Sequence, residues 1–590
     1  MEVDIGAAGS GGADPDDLLV GLDDEQRAAV TSDALPLAII APAGSGKTRV
    51  LTRRIAWRCM TDRDVPGKVV ALTFSRAAAN ELRSRLQALG LRERIRTGTF
   101  HGIARQELLQ WCADRRKPAP TVVGDPSKLL REACGDERLL FELRDELSWA
   151  RARLVGAERY PEAALEARRS TRAAPDRLAQ AMVRYTTLKH QRQVVDFDDL
   201  LEQAARRLED DPVWRAGRQL FCAHPYVDEF QDVNALQLRF LHLLVPDHAS
   251  VCVVGDPNQA IYGFNGADVT YLRRFDHHFP GATTVRLRNS YRSTPGIITA
   301  ATRTLIAGGQ DVDVHPVREA GLLPTISGCN DEQAEAALIA RELIDRRRPG
   351  RPWGDHAVLV RTRAQLEPIV AALVAHRIPH RVVGHDNSDD PGVRRALGWL
   401  RNAQMPYRAA LAHLATTVDA DTDAVGEGDD DTPLRAMLDA ADDYERAKGT
   451  PSLPGFLAWL ALVGLAPTTQ DAVELTTFHG AKGLEWSVVH LAGAEEGLVP
   501  VWWASGSEAE SEERRLFYVA CTRARDELHI TWVARRTIRD RERARRRSPY
   551  LTELAQALAD DRRVNRPIDG RAHIAALREQ LAPARGKMLG

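Results

Sequence analysis

Cysteine and lysine are both scarce in this sequence. The seven cysteines of the 590 residues lie apart, with no Cys-x-x-Cys pair. This pattern argues against a zinc ribbon, an iron–sulfur cluster or a disulfide framework, and it fits the reducing cytoplasm. Only eight residues are lysines, against 72 arginines. A lysine within a motif is therefore more informative than an arginine.

A large net charge, a targeting segment and a long apolar run are also missing. With a formal net charge of −2, no overall cationic field attracts nucleic acid, so any such binding needs a local channel. Residues 1–17 are rich in Gly and Asp and lack the apolar core of a signal peptide, which predicts a disordered tail. The longest uncharged run, 450–470, contains three prolines and predicts a buried helix rather than a membrane span.

Short apolar runs recur along the chain, each followed by a polar or glycine-rich turn, with helical patterns between them. Strands that alternate with helices predict parallel sheets, and the number of runs predicts two α/β domains. The segment 103–195 has helical spacing and predicts a helical insertion, and a second insertion is predicted at 386–471. The predicted strands are Leu37–Ile40, Val69–Phe74, Tyr226–Val227, Val251–Val254, Val285–Leu287, Ala357–Val360, Val488–Leu491 and Leu528–Trp532.

The first predicted strand runs directly into a phosphate-binding loop. Residues 41–48 have the sequence APAGSGKT and precede a helical pattern, which is the order of strand, loop and helix in a P-loop. The backbone N–H groups of such a loop surround phosphates, its lysine reaches the β- and γ-phosphates, and its hydroxyl residue coordinates Mg²⁺. Ala41 replaces the first glycine of the general pattern. The predicted nucleotide-binding residues are Ala43, Gly44, Ser45, Gly46, Lys47 and Thr48.

Polar side chains end two later strands. Asp228 and Glu229 follow the strand at Tyr226–Val227. In P-loop ATPases such a pair holds Mg²⁺ with the Asp and orients the attacking water with the Glu. Gln259 lies in the polar turn after Val251–Val254, and its neutral amide suits the sensing of a γ-phosphate. We therefore predict an ATPase site that uses Mg²⁺.

Ten short blocks follow one another in a characteristic order. They are LDDEQ at 22–26, the phosphate loop, LTFSRAA at 72–78, TGTFH at 97–101, DFDDL at 196–200, VDEFQD at 227–232, GDPNQAIYGFNGAD at 255–268, SYRSTP at 290–295, TTFHGAKGLEW at 476–486 and EERRLFYVACTRA at 512–524. Over about residues 20–535, these blocks closely resemble the UvrD/Rep family of superfamily 1 DNA helicases. The resemblance implies two RecA-like P-loop domains with parallel sheets, each with a mainly helical insertion.

The resemblance also implies roles at the ATP site. In the family, arginine fingers reach the ATP from the second RecA-like domain and stabilise the charge on the transferring phosphoryl group, which couples hydrolysis to domain motion. The matching residues are Gln26 for adenine recognition, Arg49 and Tyr291 around the base, Gln259 as γ-phosphate sensor, Arg292 and Arg523 as arginine fingers, and Glu485 near the ribose and metal.

A set of DNA contacts is implied in the same way. The family stacks bases on aromatic side chains, an interaction that tolerates any sequence. Three positions depart from the usual pattern: a phenylalanine replaces tryptophan at 264, Asn265 replaces an arginine that couples DNA contact to hydrolysis, and Ser290 replaces an asparagine. The implied DNA-binding residues are Phe74, Tyr262 and Phe264 for stacking, Thr99, His101, Thr477 and His479 for phosphates, and Asn265 beside them.

The domain boundaries follow from the blocks. The second insertion is shorter than the family's usual subdomain, which makes translocation on a single strand a safer prediction than processive unwinding. No nuclease domain is expected after Arg547. The predicted parts are a tail at 1–17, a first RecA-like domain at 18–102 and 196–280, its insertion at 103–195, a second RecA-like domain at 281–385 and 472–534, its reduced insertion at 386–471, and a basic C-terminal tail at 535–590.

Taken together, the resemblance predicts a cytoplasmic, ATP- and Mg²⁺-dependent DNA helicase or translocase that moves 3′ to 5′ in DNA repair or recombination. Its predicted partners are single-stranded DNA, tailed duplex DNA and a repair or recombination protein, without a membrane, zinc or an iron–sulfur cluster. Two alternatives stay open: a translocase that displaces proteins with little unwinding, and a P-loop ATPase switch that needs no DNA. The arginine-rich stretch 535–547 is either a DNA-binding strip or a solvated helix.

Overall fold

The computed structural model describes residues 14–91, 95–123, 126–246, 251–347, 350–383, 391–403, 405–422, 437–438, 440–441, 444–445, 451–453, 455–457, 460, 471–504, 506–538 and 541–564. Most of the predicted N-terminal tail, much of the second insertion and the end of the chain therefore lie outside the described residues. The chain divides into two compact units. Unit 1 comprises Met1–Arg292, Asp313–His315 and Pro379–Gly480, and unit 2 comprises Ser293–Val312, Pro316–Ile378 and Ala481–Gly590.

The strands and helices alternate along most of the chain. The strands are β1 Leu37–Ile40, β2 Val69–Thr73, β3 Arg96–Thr99, β4 Thr121–Val122, β5 Val194–Val195, β6 His224–Val227, β7 Cys252–Gly255, β8 Thr283–Arg286, β9 Asn289–Ser290, β10 His315–Pro316, β11 Thr325–Cys329, β12 His356–Val360, β13 His380–Val382, β14 Val473–Thr477, β15 Trp486–Ala492, β16 Ala524–Val533, β17 Arg535–Ile538 and β18 Arg541–Ala544.

The α-helices are α1 Asp24–Thr31, α2 Lys47–Met60, α3 Arg76–Ala88, α4 Phe100–Asp114, α5 Ser127–Cys134, α6 Leu140–Ala152, α7 Tyr160–Glu166, α8 Pro175–Gln191, α9 Phe197–Asp210, α10 Pro212–Leu220, α11 Ala235–Leu244, α12 Thr270–Arg273, α13 Phe275–His278, α14 Pro295–Ala307, α15 Glu332–Arg346, α16 Leu366–Ala375, α17 Pro391–Asn402, α18 Tyr407–Thr422, α19 Ser507–Cys521 and α20 Pro549–Val564. No described helix is long and apolar enough to cross a membrane.

Unit 1 is built on a parallel sheet with the strand order β3-β2-β6-β7-β1-β8. Successive residues of β1 alternate between two cores: Leu37 and Ile39 pack on the side of α1, α2 and α3, and Ala38 packs on the side of α4, α9 and α11. A strand covered on both faces reads as a continuous apolar run, which is why the sequence predicted it. β1 lies between β7 and β8, so the phosphate loop leaves the interior of the sheet.

The helical insertion of unit 1 has a hydrophobic core of its own. Apolar residues of α5, α6, α7 and α8 pack against one another, with Leu143, Tyr160 and Met182 buried among them. The preceding helix α4 instead packs into the core below the sheet. A buried ion cluster ties the insertion to the start of α9: Lys189 Nζ lies 2.8 Å from Asp196 Oδ2, and Arg151 Nη1 lies 2.8 Å from the same oxygen.

The described part of the second insertion is also helical. α17 and α18 bury Val393, Leu400 and Tyr407 together with Phe456. Phe456 belongs to the uncharged run at 450–470, and it is buried as the sequence predicted. Strands β13 and β14, which belong to unit 1, pair with each other in parallel.

Unit 2 contains the parallel strands β11, β16, β15 and β12, paired in that order. Helix α14 packs against α19 and α20, and α15 packs against α16. All eight predicted strands are present in the two units, and the predicted α/β class with parallel sheets is confirmed. The sequence pattern did not indicate β3, β11, β13 or β14, which are short or partly polar.

The predicted C-terminal tail begins with packed elements. The arginine-rich stretch is an antiparallel hairpin of β17 and β18, so the prediction of a solvated helix there is wrong. Buried Arg536 fixes the hairpin: its guanidinium donates to Glu335 Oε2 at 2.9 Å and to Glu495 Oε1 at 2.6 Å. In α20, Tyr550, Leu551 and Leu554 are buried.

Three histidines lie inside the sheet of unit 2. His490 of β15 stacks on His529 of β16, with ring centroids 5.0 Å apart, and His356 is fully buried on β12. Burial and neighbouring positive groups lower the pKa of His356 to about 4. Burial also lowers the pKa of His490 to about 4, although Glu342 Oε2 lies 3.3 Å from its Nδ1. Both imidazoles are therefore neutral in the folded protein at pH 7.

Acidification should destabilise unit 2 through these two histidines. A histidine with a lowered pKa in the folded state binds its proton more tightly when unfolded, so the free energy of unfolding is highest above the unfolded pKa. It falls as the pH drops from about 6.5 to about 4, by about 1.4 kcal/mol per pH unit and histidine. We expect the urea concentration at the midpoint of unfolding to decrease as the pH is lowered from 6.5 to 5. His490→Asn should flatten that slope, whatever its effect at pH 7. If His490→Asn left the pH dependence of the urea midpoint unchanged, the lowered pKa of His490 would be contradicted.

Candidate ATP site and nucleic-acid interface

The phosphate loop joins β1 to α2 in unit 1. Gly44 has φ +77° and Gly46, which caps α2, has φ +83°. These left-handed conformations favour glycine. They direct the loop so that α2 begins at Lys47 and its N-terminus faces the loop. The N–H groups and dipole of a helix N-terminus bind anions, so the geometry agrees with the predicted phosphate site.

The segment 290–292 lies directly against this loop. Ser290 Oγ donates to the carbonyl of Ala43 at 2.9 Å, and the Tyr291 N–H donates to the carbonyl of Gly44, also at 2.9 Å. A Cβ atom added to Gly44 would come within 2.7 Å of Arg292 Cβ, so only glycine permits this approach. Serine at 290, a departure from the family pattern, thus bonds to the loop itself.

The predicted base-recognition residues surround the start of α1. Gln26 is buried, and its amide donates from Nε2 to the carbonyl of Ser45 at 2.9 Å. It also forms a capping box with Asp23. The Tyr291 hydroxyl donates to Asp23, and burial together with this carboxylate raises the pKa of Tyr291 to about 12. Arg49 is exposed on the first turn of α2, so the structure brings these four residues to one side of the loop.

The paired carboxylates lie at the end of β6. Lys47 Nζ is 3.8 Å from Glu229 Oε1. Asp228 is buried, and burial together with the adjacent Glu229 raises its pKa to about 7. A carboxylate in such surroundings favours a bound cation, and carboxylate and hydroxyl oxygens suit Mg²⁺. The Thr48 hydroxyl donates no hydrogen bond within the described part of the chain, so Asp228 and Thr48 fit the predicted metal ligands.

Gln231 links the carboxylates to the next strand. Its Nε2 donates to Glu229 Oε2, and its Oε1 accepts the N–H of Asp256 at 3.0 Å. Asp256 Oδ2 in turn accepts from Gln259 Nε2 at 2.7 Å. Gln259 is buried in the turn after β7. The predicted γ-phosphate sensor is thus connected, through Asp256 and Gln231, to Glu229, the residue predicted to orient the attacking water.

Aromatic rings form one group beyond Gln259 in the same loop. The centroids of Tyr262 and Phe264 are 6.2 Å apart, and His479 lies 6.5 Å from Tyr262 and 5.5 Å from Phe264. Phe264 is 48% exposed, and Asn265 beside it is exposed. The structure therefore brings three of the predicted DNA contacts together and leaves a ring face open to solvent.

The other predicted DNA contacts lie at or just after the ends of strands β2, β3 and β14. Phe74 follows β2 and lies 5.7 Å from the buried ring of Phe100. The Thr99 hydroxyl caps α4 by accepting the N–H of Gly102 at 3.0 Å, and His101 is on the first turn of that helix. Thr477 ends β14, and its hydroxyl accepts the N–H of Gly480 at 3.1 Å.

Two predicted residues lie in unit 2. Arg523 is buried, and its guanidinium donates to the carbonyls of Val519 at 2.9 Å and Leu484 at 3.1 Å. This bond holds the backbone next to Glu485, whose side chain is exposed. Arg523 and Glu485 therefore lie close together in unit 2. The assignment of Arg523 as an arginine finger stays a prediction.

Two residues of this region were missed by sequence reasoning. Gln231 bridges Glu229 and Asp256, which its place in the VDEFQD block did not reveal. Phe197 is 43% exposed and stacks on His101, with ring centroids 4.5 Å apart. An aromatic residue in the polar DFDDL block was the available indication for Phe197, because an apolar ring among acids at a helix start seldom faces the core.

Comparison with known proteins adds two family models that together cover most of the chain. Residues 22–280 match the UvrD/REP helicase N-terminal domain. Residues 285–388 and 406–535 match the UvrD-like helicase C-terminal domain. The two matches contain every site residue discussed above.

Three similar proteins carry helicase names. The chain is 34% identical to the ATP-dependent DNA helicase UvrD2 of Mycobacterium tuberculosis over 583 residues, which covers 92% of this chain and 83% of that protein. It is 28% identical to DNA helicase II of Escherichia coli, covering 93% and 90%. It is 27% identical to the ATP-dependent DNA helicase PcrA of Staphylococcus aureus, covering 92% and 87%.

Proposed function

Because the chain belongs to the UvrD/REP helicase family, we propose that it is a cytoplasmic ATP-dependent DNA helicase that moves 3′ to 5′ along single-stranded DNA, in DNA repair or recombination. The family fixes the reaction class as that of a UvrD-type helicase. The polarity and the repair role follow from the resemblance of the ten sequence blocks. The scattered cysteines support the cytoplasmic assignment.

One observation supports the motor function most directly. Within a single loop, Gln259 is bonded to Asp256 at the ATP site, and three to five residues later Tyr262 and Phe264 present aromatic rings with His479. Burial, Asp232 and Glu229 raise the pKa of Tyr262 to about 12, so its hydroxyl is neutral at pH 7. A change at the γ-phosphate can thus reach a base-stacking residue through one short segment of the chain.

The residues of the site divide the chemistry between them. Mg²⁺ bound by Asp228 and Thr48 would neutralise charge on the β- and γ-phosphates of ATP. Lys47, which pairs with Glu229 at 3.8 Å, supplies its ammonium to the same phosphates. Glu229 orients the attacking water and accepts its proton, while Gln231 holds the carboxylate in place. Arg292 is carried on the segment that packs against the phosphate loop and stabilises the transferring group.

The decisive test compares ATP hydrolysis and movement with one preparation. Steady-state hydrolysis is measured with and without a single-stranded oligonucleotide, and Lys47→Ala controls for a contaminating ATPase. Movement is followed by the arrival of the protein at a fluorophore on the 5′ or the 3′ end. Stimulated hydrolysis and arrival at the 5′ end support the proposal. Hydrolysis that depends on Lys47 but ignores DNA indicates a switch, and displacement of bound protein without unwinding of tailed duplexes indicates a stripping translocase.

Phe264→Ala should weaken single-strand binding by about tenfold, because base stacking contributes about 1–3 kcal/mol per base. The Kd for ATP should stay the same, since the rings beside Phe264, those of Tyr262 and His479, lie outside the phosphate loop. Phe141, 73% exposed on α6, provides a matched Phe→Ala control. Fluorescence anisotropy with a labelled oligonucleotide measures the DNA affinity of both variants. An unchanged affinity for DNA would remove Phe264 from the interface.

A further inference from the structure

Two adjacent tryptophans of unit 2 are exposed. Trp502 is 79% exposed and Trp503 is 54% exposed. Their rings meet edge to face, with centroids 5.5 Å apart, so each ring keeps a face open to solvent. Tryptophan is on average highly buried, and neighbouring exposed aromatic rings mark interaction sites. No role has been assigned above to Trp502 or Trp503.

The backbone around the pair is held by hydrogen bonds. The Trp502 N–H donates to the carbonyl of Gly497 at 3.2 Å. The Val501 N–H donates to Glu513 Oε2 at 3.2 Å, and Arg361 fixes Glu513 with a bond of 2.6 Å. Because hydrogen bonds already hold this turn, the protein would lose little conformational entropy when a ligand binds to the two rings.

The end of the arginine hairpin lies beside the tryptophans. The Glu496 N–H donates to the carbonyl of Arg546 at 2.9 Å, and Arg545 Nη1 donates to the carbonyl of Glu496 at 3.3 Å. A Cβ atom added to Gly497 would lie 3.2 Å from Arg545 Nη1 and 3.9 Å from Trp502 Cβ. The guanidinium and the tryptophan thus flank the same glycine.

Positive charge on this surface is largely uncompensated. Four exposed arginines, in β18 and just after it, have side chains with no ion pair or hydrogen bond to any described residue. Among the exposed acids that the structure describes in 496–542, Glu542 pairs with Arg535 and Glu510 pairs with Arg514, which leaves Glu496 and Glu508. The four arginines are Arg541, Arg543, Arg546 and Arg547.

We propose that Trp502 and Trp503, together with Arg546 and Arg547, form a contact site for single-stranded nucleic acid on unit 2. This inference rests on the proposed function. A single strand offers unpaired bases to the ring faces and phosphates to the arginines, and this combination is the basis of strand binding without sequence preference. An acidic peptide would satisfy the arginines but leave both tryptophan rings in water. The predicted stacking residues Phe74, Tyr262 and Phe264 all belong to unit 1, so this site would be additional to them.

The experiment separates stacking from charge. A double variant, Trp502→Ala with Trp503→Ala, should bind a labelled oligothymidylate about tenfold more weakly, without a change in basal ATP hydrolysis. The variant Arg546→Gln with Arg547→Gln should lower the slope of log K against log salt by about 1.4, since each phosphate contact on a single strand contributes about 0.7. Leu220→Ala with Phe221→Ala, exposed in unit 1, controls for lost apolar surface, and Arg303→Gln, exposed on α14, for lost charge.

Photocrosslinking gives the direct readout. Irradiation of the wild-type complex should attach the oligothymidylate to the peptide that contains Trp502 and Trp503. Unchanged affinity and salt slope, with no crosslink there, would overturn the inference, as would variants that lose binding to polyglutamate but keep binding to DNA. These outcomes differ from a failure of the proposed function, in which the wild-type protein itself would show no DNA-stimulated ATP hydrolysis.

Discussion

Glu229→Gln should lower the maximal rate of DNA-stimulated ATP hydrolysis by about a thousandfold, within the range that a general base contributes. The amide keeps the shape of the side chain but accepts no proton from the attacking water. Binding of ATP should persist or tighten, because the substitution removes a negative charge 3.8 Å from the Lys47 ammonium.

Single-turnover hydrolysis and equilibrium binding of a fluorescent ATP analogue separate these effects. Glu162→Gln, exposed in the first turn of α7, is the matched control and should behave as wild type. Near-normal turnover by Glu229→Gln would assign the water-activating role to another residue.

Arg292→Ala is expected to cost about a thousandfold in turnover, since a residue of this kind contributes about 10³–10⁵ in rate. Its position supports a direct role: its Cβ lies against Gly44 of the phosphate loop, and Tyr291 before it is bonded to the same glycine. Arg292→Lys should restore little, because an ammonium lacks the planar, forked donors of a guanidinium.

The comparison of turnover with nucleotide affinity distinguishes catalysis from support of the loop. A catalytic arginine leaves the Kd of ATP nearly unchanged, whereas damage to the loop would raise it. Arg286→Ala, exposed on β8, changes the same residue type six positions earlier and should leave turnover intact. A large rise in the Kd with unchanged kcat would show that Arg292 only positions the loop.

The sequence predicted those parts of the site that lie close together in the chain. The strand, loop and helix around Lys47 and the carboxylates after β6 have local patterns, because a buried parallel strand is a continuous apolar run and a phosphate loop needs glycine. The rings at 262 and 264 were predicted for the same reason. Their meeting with His479 was implied only by resemblance, since no local pattern relates residues more than two hundred positions apart.

Other features depend on contacts that no local pattern encodes. The stretch 535–547 has no apolar periodicity, and it forms a hairpin because Arg536 pairs with Glu335 and Glu495 from distant segments. Gln231 looked like one polar residue of a block, yet it bridges two strands because Asp256 follows the neighbouring β7. The exposure of Trp502 and Trp503 was equally hidden, because a Trp-Trp pair in sequence normally indicates core.

The separate core of the first helical insertion has an evolutionary consequence. Helices α5 to α8 bury their apolar residues among themselves, and the ion cluster of Arg151 and Lys189 with Asp196 attaches them to α9. The apolar residues of this core are therefore distinct from those that pack against the ATP-binding sheet, although α6 also contacts α11 and the loop at 263–265. The sequence, length and surface of such a module can change during evolution while the ATP-binding sheet of unit 1 stays the same.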